Sequence, residues 1–120
     1  MDDLYREELL MHYKSPRHFG KPEKFDLSFE KDNPYCGDKL HVYLQVKEDR
    51  VTGIYFTGEG CAVSVAAASI LTSALEGKTK AEIMAFGTKE LLETLKMELT
   101  PTRLKCALLP LETIHQALNK

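Results

Sequence analysis

The sequence predicts an α+β fold, in which helices pack on one face of a three-stranded antiparallel sheet. Apolar and polar residues alternate over residues 40–46, which is the pattern of a half-buried strand. After one short helical segment, all strand patterns come before residue 60, and helical patterns follow from residue 62. Strands followed by helices are typical of α+β domains. We expect residues 1–120 to form one such domain.

Strands are predicted at residues 25–30, 40–46 and 51–57, with a turn at residues 47–50. In the first strand Phe25, Leu27 and Phe29 alternate with other residues, so we expect these three side chains on one face. Val51 is out of phase with the later apolar residues of its strand. Gly53 stands where a β-bulge would reset the phase.

Helices are predicted at residues 3–14, 62–75, 79–86, 88–98 and 102–118. Pro16 ends the first of them, and Gly77 is placed as a C-terminal cap of the second. Pro110 lies inside the last helix and has no amide to donate to the carbonyl of Cys106. We therefore expect that helix either to kink or to stop and restart near Leu109.

Composition and charge exclude several classes of function. The chain has 16 basic and 18 acidic residues, with the two signs interspersed, so it lacks the basic surface of a nucleic-acid-binding protein. The weakly polar stretch at residues 61–75 is too short to cross a membrane. The first residues have no basic segment followed by an apolar run, so we expect a cytoplasmic protein rather than a secreted one.

Four side chains can carry chemistry: Cys36, Asp38, Cys61 and Cys106. Gly37 allows a tight turn, through which the thiol of Cys36 and the carboxylate of Asp38 can approach one acceptor. Cys61 precedes a predicted helix, whose N-terminal dipole favours the thiolate. Three thiolates and a carboxylate can bind zinc, and thiolates also bind iron–sulfur clusters. From the residues alone, a shared site and three unrelated core cysteines remain equally open.

The histidines are not predicted as metal ligands, because none of them adjoins a cysteine motif. His12 and His115 fall on the first and last helices, where we expect solvated or partly packed rings.

Four segments of the sequence resemble those of a known protein family: LYREELLMHYKSPRHFG, NPYCGD, GEGCAVSVAAASILTSALEGKT and RLKCALLPLETI. In order and separation they resemble the IscU, SufU and NifU N-terminal family of iron–sulfur cluster assembly proteins. The resemblance implies that Cys36, Asp38, Cys61 and Cys106 meet at one exposed end of an α+β domain and hold zinc or a nascent [2Fe-2S] cluster. It also implies a cysteine desulfurase partner, which delivers sulfur as a persulfide.

Two branches of that family imply different functions. SufU-type proteins resemble this chain in RLKC and GEGC and are zinc-dependent sulfur acceptors; Cys36 would then receive sulfur and Arg103 would contact the desulfurase. IscU-type scaffolds resemble it in the short separation of Cys61 from Cys106; Cys106 would then be the acceptor.

Other features of the scaffold branch are missing. Scaffolds carry histidine where this chain has Lys105, and a chaperone motif where it reads LTPTR at residues 99–103, so an Hsp70-type chaperone is not expected as a partner. Lys105 is either an exposed lysine or a group that screens thiolate charge and guides sulfur transfer.

We therefore predict a persulfide sulfur acceptor with a zinc-bound site, which is not a classical enzyme. The alternative is a scaffold that assembles a [2Fe-2S] cluster and passes it to a carrier or an apo-protein. In either case the resemblance implies that Asp38 is the exchangeable ligand. A purely structural zinc domain and a thiol-redox enzyme are rival classes; the chain has no C-x-x-C pair to favour the second.

Overall fold

The computed structural model describes residues 10–33, 37–60, 62–95 and 99–119. The strands are β1 (Leu27–Asn33), β2 (Asp38–Lys47) and β3 (Arg50–Glu59), and the helices are α1 (residues 10–14), α2 (Ala62–Leu75), α3 (Lys80–Ala85), α4 (Thr88–Leu95) and α5 (Pro101–Leu118). The strands form one antiparallel sheet in the order β1-β2-β3. The predicted α+β class and the three-stranded antiparallel sheet are confirmed.

The hydrophobic core lies between the sheet and two of the helices. α2 packs on β3, and α5 packs on β1, β2 and α2. Leu44, Ile54 and Phe56 supply the sheet's side of this core and are fully buried. Ala67 and Ala68 of α2 are also fully buried, and their small side chains allow the helix to lie close to its neighbours.

A β-bulge lies beside Gly53, as predicted. Gln45 pairs with Gly53 but Val46 pairs with Val51, so Thr52 is left as the extra residue of β3. The shift returns Val51 to the core, where it is fully buried.

The prediction for Phe25 is wrong. β1 begins at Leu27, and the ring of Phe25 meets Tyr43 edge to face at 5.1 Å between centroids. Tyr43 alternates along β2 with core residues, so Phe25 lies on the opposite face of the sheet from Leu27. Asp26, the residue between them, contacts β2 through its amide, which donates to the carbonyl of Leu44 at 2.8 Å. Its carboxylate, rather than a backbone carbonyl, accepts the amide of Val46 at 2.7 Å, so regular strand pairing is not continued to Phe25.

The last helix is continuous through Pro110, so the expected stop and restart near Leu109 is wrong. Proline has a φ compatible with a helix and removes only one backbone donor. The hydroxyl of Thr113 donates to the carbonyl of Leu109 at 2.6 Å within the same helix. Cys106 is therefore carried on one unbroken helix.

The N-terminal segment docks on α2 through Ser69. The Nδ1 of His12 lies 2.6 Å from the Ser69 hydroxyl oxygen, and the amide of Arg17 donates to the same oxygen at 2.7 Å. His12 is buried, so the expectation of a solvated or partly packed ring is wrong for this histidine. For His115, whose Nε2 lies 2.8 Å from the carbonyl oxygen of Ile83, a partly packed ring is confirmed. Residues 3–9 of the predicted first helix lie outside the described residues.

No helix within the described ranges has both the length and the apolar character needed to cross a membrane.

Candidate metal and sulfur site

The chain reverses direction within the NPYCGD motif. Asn33, the last residue of β1, pairs with Asp38, the first residue of β2, and the amide of Gly37 donates to the carbonyl of Asn33 at 2.9 Å. Gly37 has φ 71°, a left-handed conformation that favours glycine over other residues. The predicted tight turn at Gly37 is confirmed, and it sets Asp38 at the end of the sheet.

The carboxylate of Asp38 lies against the backbone of Gly60, the residue before Cys61. Asp38 is only 2% exposed. A methyl group added to Gly60 would stand 2.9 Å from Oδ1 and 3.0 Å from Cγ of Asp38. The β2–β3 register explains this approach, because Lys39 pairs with Glu59. NPYCGD and GEGC, which are distant in sequence, thus meet at one end of the sheet.

Like Asp38, Ser64 lies against Gly60. Its hydroxyl oxygen closely approaches the same point on Gly60, and the residue is 2% exposed. Ser64 is the third residue of α2, which begins directly after Cys61. The sequence analysis missed Ser64, because one serine among the alanines and serines of this helix carries no distinguishing pattern.

Cys106 lies in the second turn of α5 and is also buried, at 3% exposure, within the hydrophobic core. Thr100 caps this helix by accepting the amide of Arg103 at 3.3 Å. The side chains of Arg103 and Lys105 are exposed. The buried thiol is thus preceded along the helix by two cations on its surface.

The structure locates two of the four predicted ligands. Asp38 and Cys106 are buried on the described elements, whereas Cys36 and Cys61 lie outside the described residues. Over the ranges that are described, no three histidine, cysteine or acidic side chains are grouped as metal ligands. The full set of four therefore stays a prediction.

The residue types of the candidate site, one carboxylate and three thiols, suit a metal ion, and Asp38 is the buried oxygen ligand among them. A buried carboxylate is costly unless hydrogen bonds or a positive charge compensate it, and every buried side-chain oxygen or nitrogen in the described part of the chain has a hydrogen-bond partner. The N-terminus of α2 begins two residues after Gly60, and its helix dipole favours negatively charged groups such as a carboxylate or a thiolate. Carboxylate and thiolate together are ordinary zinc ligands.

Three other histidines make contacts that account for their positions. His18 Nδ1 lies 3.1 Å from a carboxylate oxygen of Glu76, and His41 Nδ1 lies 3.6 Å from one of Glu30. His115 contacts the carbonyl of Ile83, as described above.

Solved structures share the fold. The SUF-system protein FiSufU from Fervidobacterium islandicum AW-1 superposes with a TM-score of 0.82 at 27% identity, covering 93% of this chain and 94% of that one. The N-terminal part of a NifU-like protein from Brucella abortus has a TM-score of 0.76 over 98% of this chain and 94% of that one; at 19% identity it supports the fold alone.

Sequence relatives carry names from both branches. The zinc-dependent sulfurtransferase SufU of Bacillus subtilis is 38% identical over 78 residues, which are 65% of this chain and 52% of the relative, so the match spans about half of that protein. The iron–sulfur cluster assembly scaffold protein IscU 1 of Archaeoglobus fulgidus is 30% identical over 115 residues, which are 96% of this chain and 74% of the relative.

The fold and these relatives define a protein of the IscU/SufU type, the iron–sulfur cluster assembly class. More particularly, the family model of the NifU-like N terminal domain matches residues 4–120, and the chain belongs to that family.

Proposed function

We propose that this chain accepts sulfur from a cysteine desulfurase at a zinc site formed by Cys36, Asp38, Cys61 and Cys106. The observation that carries the proposal is the packing of the buried Asp38 carboxylate against Gly60. Asp38 is two residues from Cys36, and Gly60 adjoins Cys61, so the contact draws two cysteine motifs to one end of the sheet. Residues 1–120 would form one domain that acts in the cytoplasm.

Zinc bound to these residues would keep the cysteines as thiolates and protect them from oxidation. Asp38 would be the exchangeable ligand, because a carboxylate oxygen is a weaker partner for zinc than a thiolate sulfur. The burial of the Asp38 carboxylate supports its place in the site, because a buried carboxylate has to be compensated by hydrogen bonds or by a positive charge.

In the sulfur-transfer step, a cysteine thiolate attacks the outer sulfur of the persulfide on the desulfurase. A new sulfur–sulfur bond forms, the bond within the donor persulfide breaks, and the desulfurase cysteine leaves as a thiolate. Cys36 is the proposed acceptor. The 38% identity to a protein named as a zinc-dependent sulfurtransferase supports this choice of branch.

Arg103 and Lys105 are proposed to contact the desulfurase. Both side chains are exposed on the first two turns of α5, close in sequence to Cys106. Two cations near a helix N-terminus, with no acidic residue in the first turn, leave this surface locally positive. Such a surface would attract an acidic patch on the partner and favour a thiolate or persulfide anion.

A scaffold function is the second candidate. The support for it is the match to proteins named IscU over nearly the whole chain, with 96% of it aligned to the Archaeoglobus relative. In that case the [2Fe-2S] cluster is cargo that is built on the same four residues and passed to a carrier or an apo-protein. Cys106 would then be the acceptor of sulfur.

The deciding experiment incubates the protein with a cysteine desulfurase and cysteine, and locates the gain of one sulfur atom on each cysteine peptide by mass spectrometry. Sulfur on Cys36, lost in Cys36→Ser, is the expected result. Sulfur on Cys106 instead would favour the scaffold. No adduct and no stimulation of the desulfurase would contradict sulfur acceptance.

Metal analysis tests the ligand set separately. The zinc content of Asp38→Ala and of each Cys→Ser variant should fall below that of the parent protein. Unchanged zinc in all four variants would contradict a shared site. Anaerobic addition of iron and sulfide, followed by visible absorption, tests whether the same residues hold a cluster.

A further inference from the structure

Ser64 differs from the other hydroxyl residues of α2. The hydroxyls of Thr72 and Ser73 donate to the carbonyl of Ser69, at 3.1 and 3.0 Å, within the helix. The Ser69 hydroxyl oxygen contacts the ring of His12 and accepts the amide of Arg17, both in the N-terminal segment. The hydroxyl of Ser64 instead lies close to the position that a Cβ of Gly60 would occupy, just after the end of β3, and the Asp38 carboxylate lies close to the same position. It belongs to the surroundings of the candidate site.

Gly60 is the common contact of these two side chains. An added Cβ at this position would collide with the Ser64 hydroxyl and stand 2.9 Å from the Asp38 carboxylate. Only a residue without a side chain leaves room for the two oxygens to occupy this space together. Ser64 and Asp38 are each 2% exposed, so water has little access to either oxygen.

We infer that Ser64 is a positioning residue, whose hydroxyl donates to the Asp38 carboxylate and holds it against Gly60. A serine hydroxyl carries one proton to donate, and a carboxylate accepts several hydrogen bonds. A hydrogen bond from a hydroxyl to an ionised carboxylate is one of the stronger kinds in proteins. The inference rests on the proposed function in one respect, which is that Asp38 is a metal ligand. Residues that orient a ligand in this way contribute to metal affinity without touching the metal.

The test combines Ser64→Ala, Asp38→Ala and the double variant. Zinc affinity is measured by competition with a chromogenic chelator, and the urea midpoint is measured on the chelator-treated, metal-free proteins. Ser73→Ala is the matched control, because its hydroxyl makes its hydrogen bond within α2. Ser64→Ala should weaken zinc binding by roughly 10- to 100-fold, while Ser73→Ala should leave it unchanged.

The double variant separates positioning from simple packing. If Ser64 acts through Asp38, then Ser64→Ala should have almost no further effect on zinc affinity or on the urea midpoint once Asp38 is already alanine. Ser64→Thr, which keeps the hydroxyl, should retain more affinity than Ser64→Ala. Additive effects in both measurements would overturn the inference, as would equal losses in Ser64→Thr and Ser64→Ala.

The two proposals fail in different ways. If the parent protein binds no zinc, the proposed zinc site is wrong, and the urea cycle on metal-free protein still decides whether Ser64 holds Asp38. If the parent binds zinc and Asp38→Ala weakens it, but Ser64→Ala does not, the zinc site stands and the role of Ser64 is wrong. If Ser64→Ala does not fold, Ser64→Val, which has the shape of Ser64→Thr without the hydroxyl, takes its place in the same cycle.

Discussion

The Nδ1 of His12 and the hydroxyl oxygen of Ser69 lie 2.6 Å apart, although the residues are 57 positions apart in sequence. Both side chains are buried, and the same oxygen accepts the amide of Arg17 at 2.7 Å. One serine in the middle of α2 therefore anchors both α1 and the connector that follows it.

Replacing Ser69 by alanine should destabilise the protein by about 1–3 kcal/mol, because the His12 ring nitrogen and the Arg17 amide each lose a partner. Urea unfolding measures the loss, and hydrogen exchange at the Arg17 amide reports local release of the segment. Ser73→Ala serves as the control, since the Ser73 hydroxyl donates to the carbonyl of Ser69 within its own helix. Equal losses in the two variants would contradict an anchoring role for Ser69.

Replacing Gly60 by alanine should weaken zinc binding by at least about tenfold, because the new methyl group displaces the Asp38 carboxylate or the Ser64 hydroxyl. Gly53→Ala, within β3, is the control. Its methyl group meets chiefly the terminal oxygen of Gln45, which can rotate away, and Gly53 lies toward the other end of β3. Chelator competition measures both affinities. Parent-like affinity in Gly60→Ala would show that the contact with Asp38 does not matter for metal binding.

Replacing Gly37 by alanine should cost about 1–2 kcal/mol of folding stability, the usual penalty for a side chain in the left-handed conformation. An added Cβ at Gly37 meets no atom within 4 Å, so the expected cost comes from the backbone alone. Gly37→Asn should cost less, since asparagine tolerates this conformation better. Urea unfolding distinguishes them; an alanine variant as stable as the asparagine variant would disprove backbone strain at this turn.

The interaction of Glu82 with Thr79 at the start of α3 should make the stability of the protein depend on pH. The Thr79 backbone amide, and then the Thr79 hydroxyl, donate to Glu82 and lower the pKa of its carboxyl below the ordinary 4.5. A lowered pKa in the folded state means that this stabilisation is present above about 4.5 and is lost as pH falls through the folded-state value. As the pH is lowered through the acid range, the urea midpoint of Glu82→Gln should therefore decrease less steeply than that of the parent protein.

Thr79→Ala provides the comparison for that prediction. It keeps the backbone donor and removes only the hydroxyl, so the slope should lie between those of the parent and Glu82→Gln. Identical slopes in the parent and Glu82→Gln would contradict the capping interaction as the source of the shift.

Much of the fold follows from local patterns. The alternation at residues 40–46 and the phase break beside Gly53 predicted strand and bulge, since side chains on successive strand residues point to opposite faces. Phe25 shows where this reasoning fails. Its alternation with Leu27 continues that of β1, but β1 begins only at Leu27, and the Asp26 carboxylate accepts the amide of Val46 where regular pairing would use a backbone carbonyl. The pattern of apolar residues does not show where a polar side chain will compete for a backbone donor.

The residues of the candidate site were also predicted only in part from the sequence. Residue types and the family resemblance nominated Cys36, Asp38, Cys61 and Cys106, whereas neither pointed to Ser64 or to a buried His12. Serine and histidine occur both on surfaces and in cores, so their roles depend on which neighbours the fold supplies.

The sequence by itself determined the α+β class, the order of the strands and helices, and the identity of the candidate ligands, because these depend on local periodicity and on residue chemistry. Only the tertiary structure decided that Asp38 lies against Gly60 beside Ser64, and that Ser69 holds the N-terminal segment. Those contacts join residues that are far apart in the chain. They are set by the register of β2 on β3 and by the packing of α2, which no local pattern specifies.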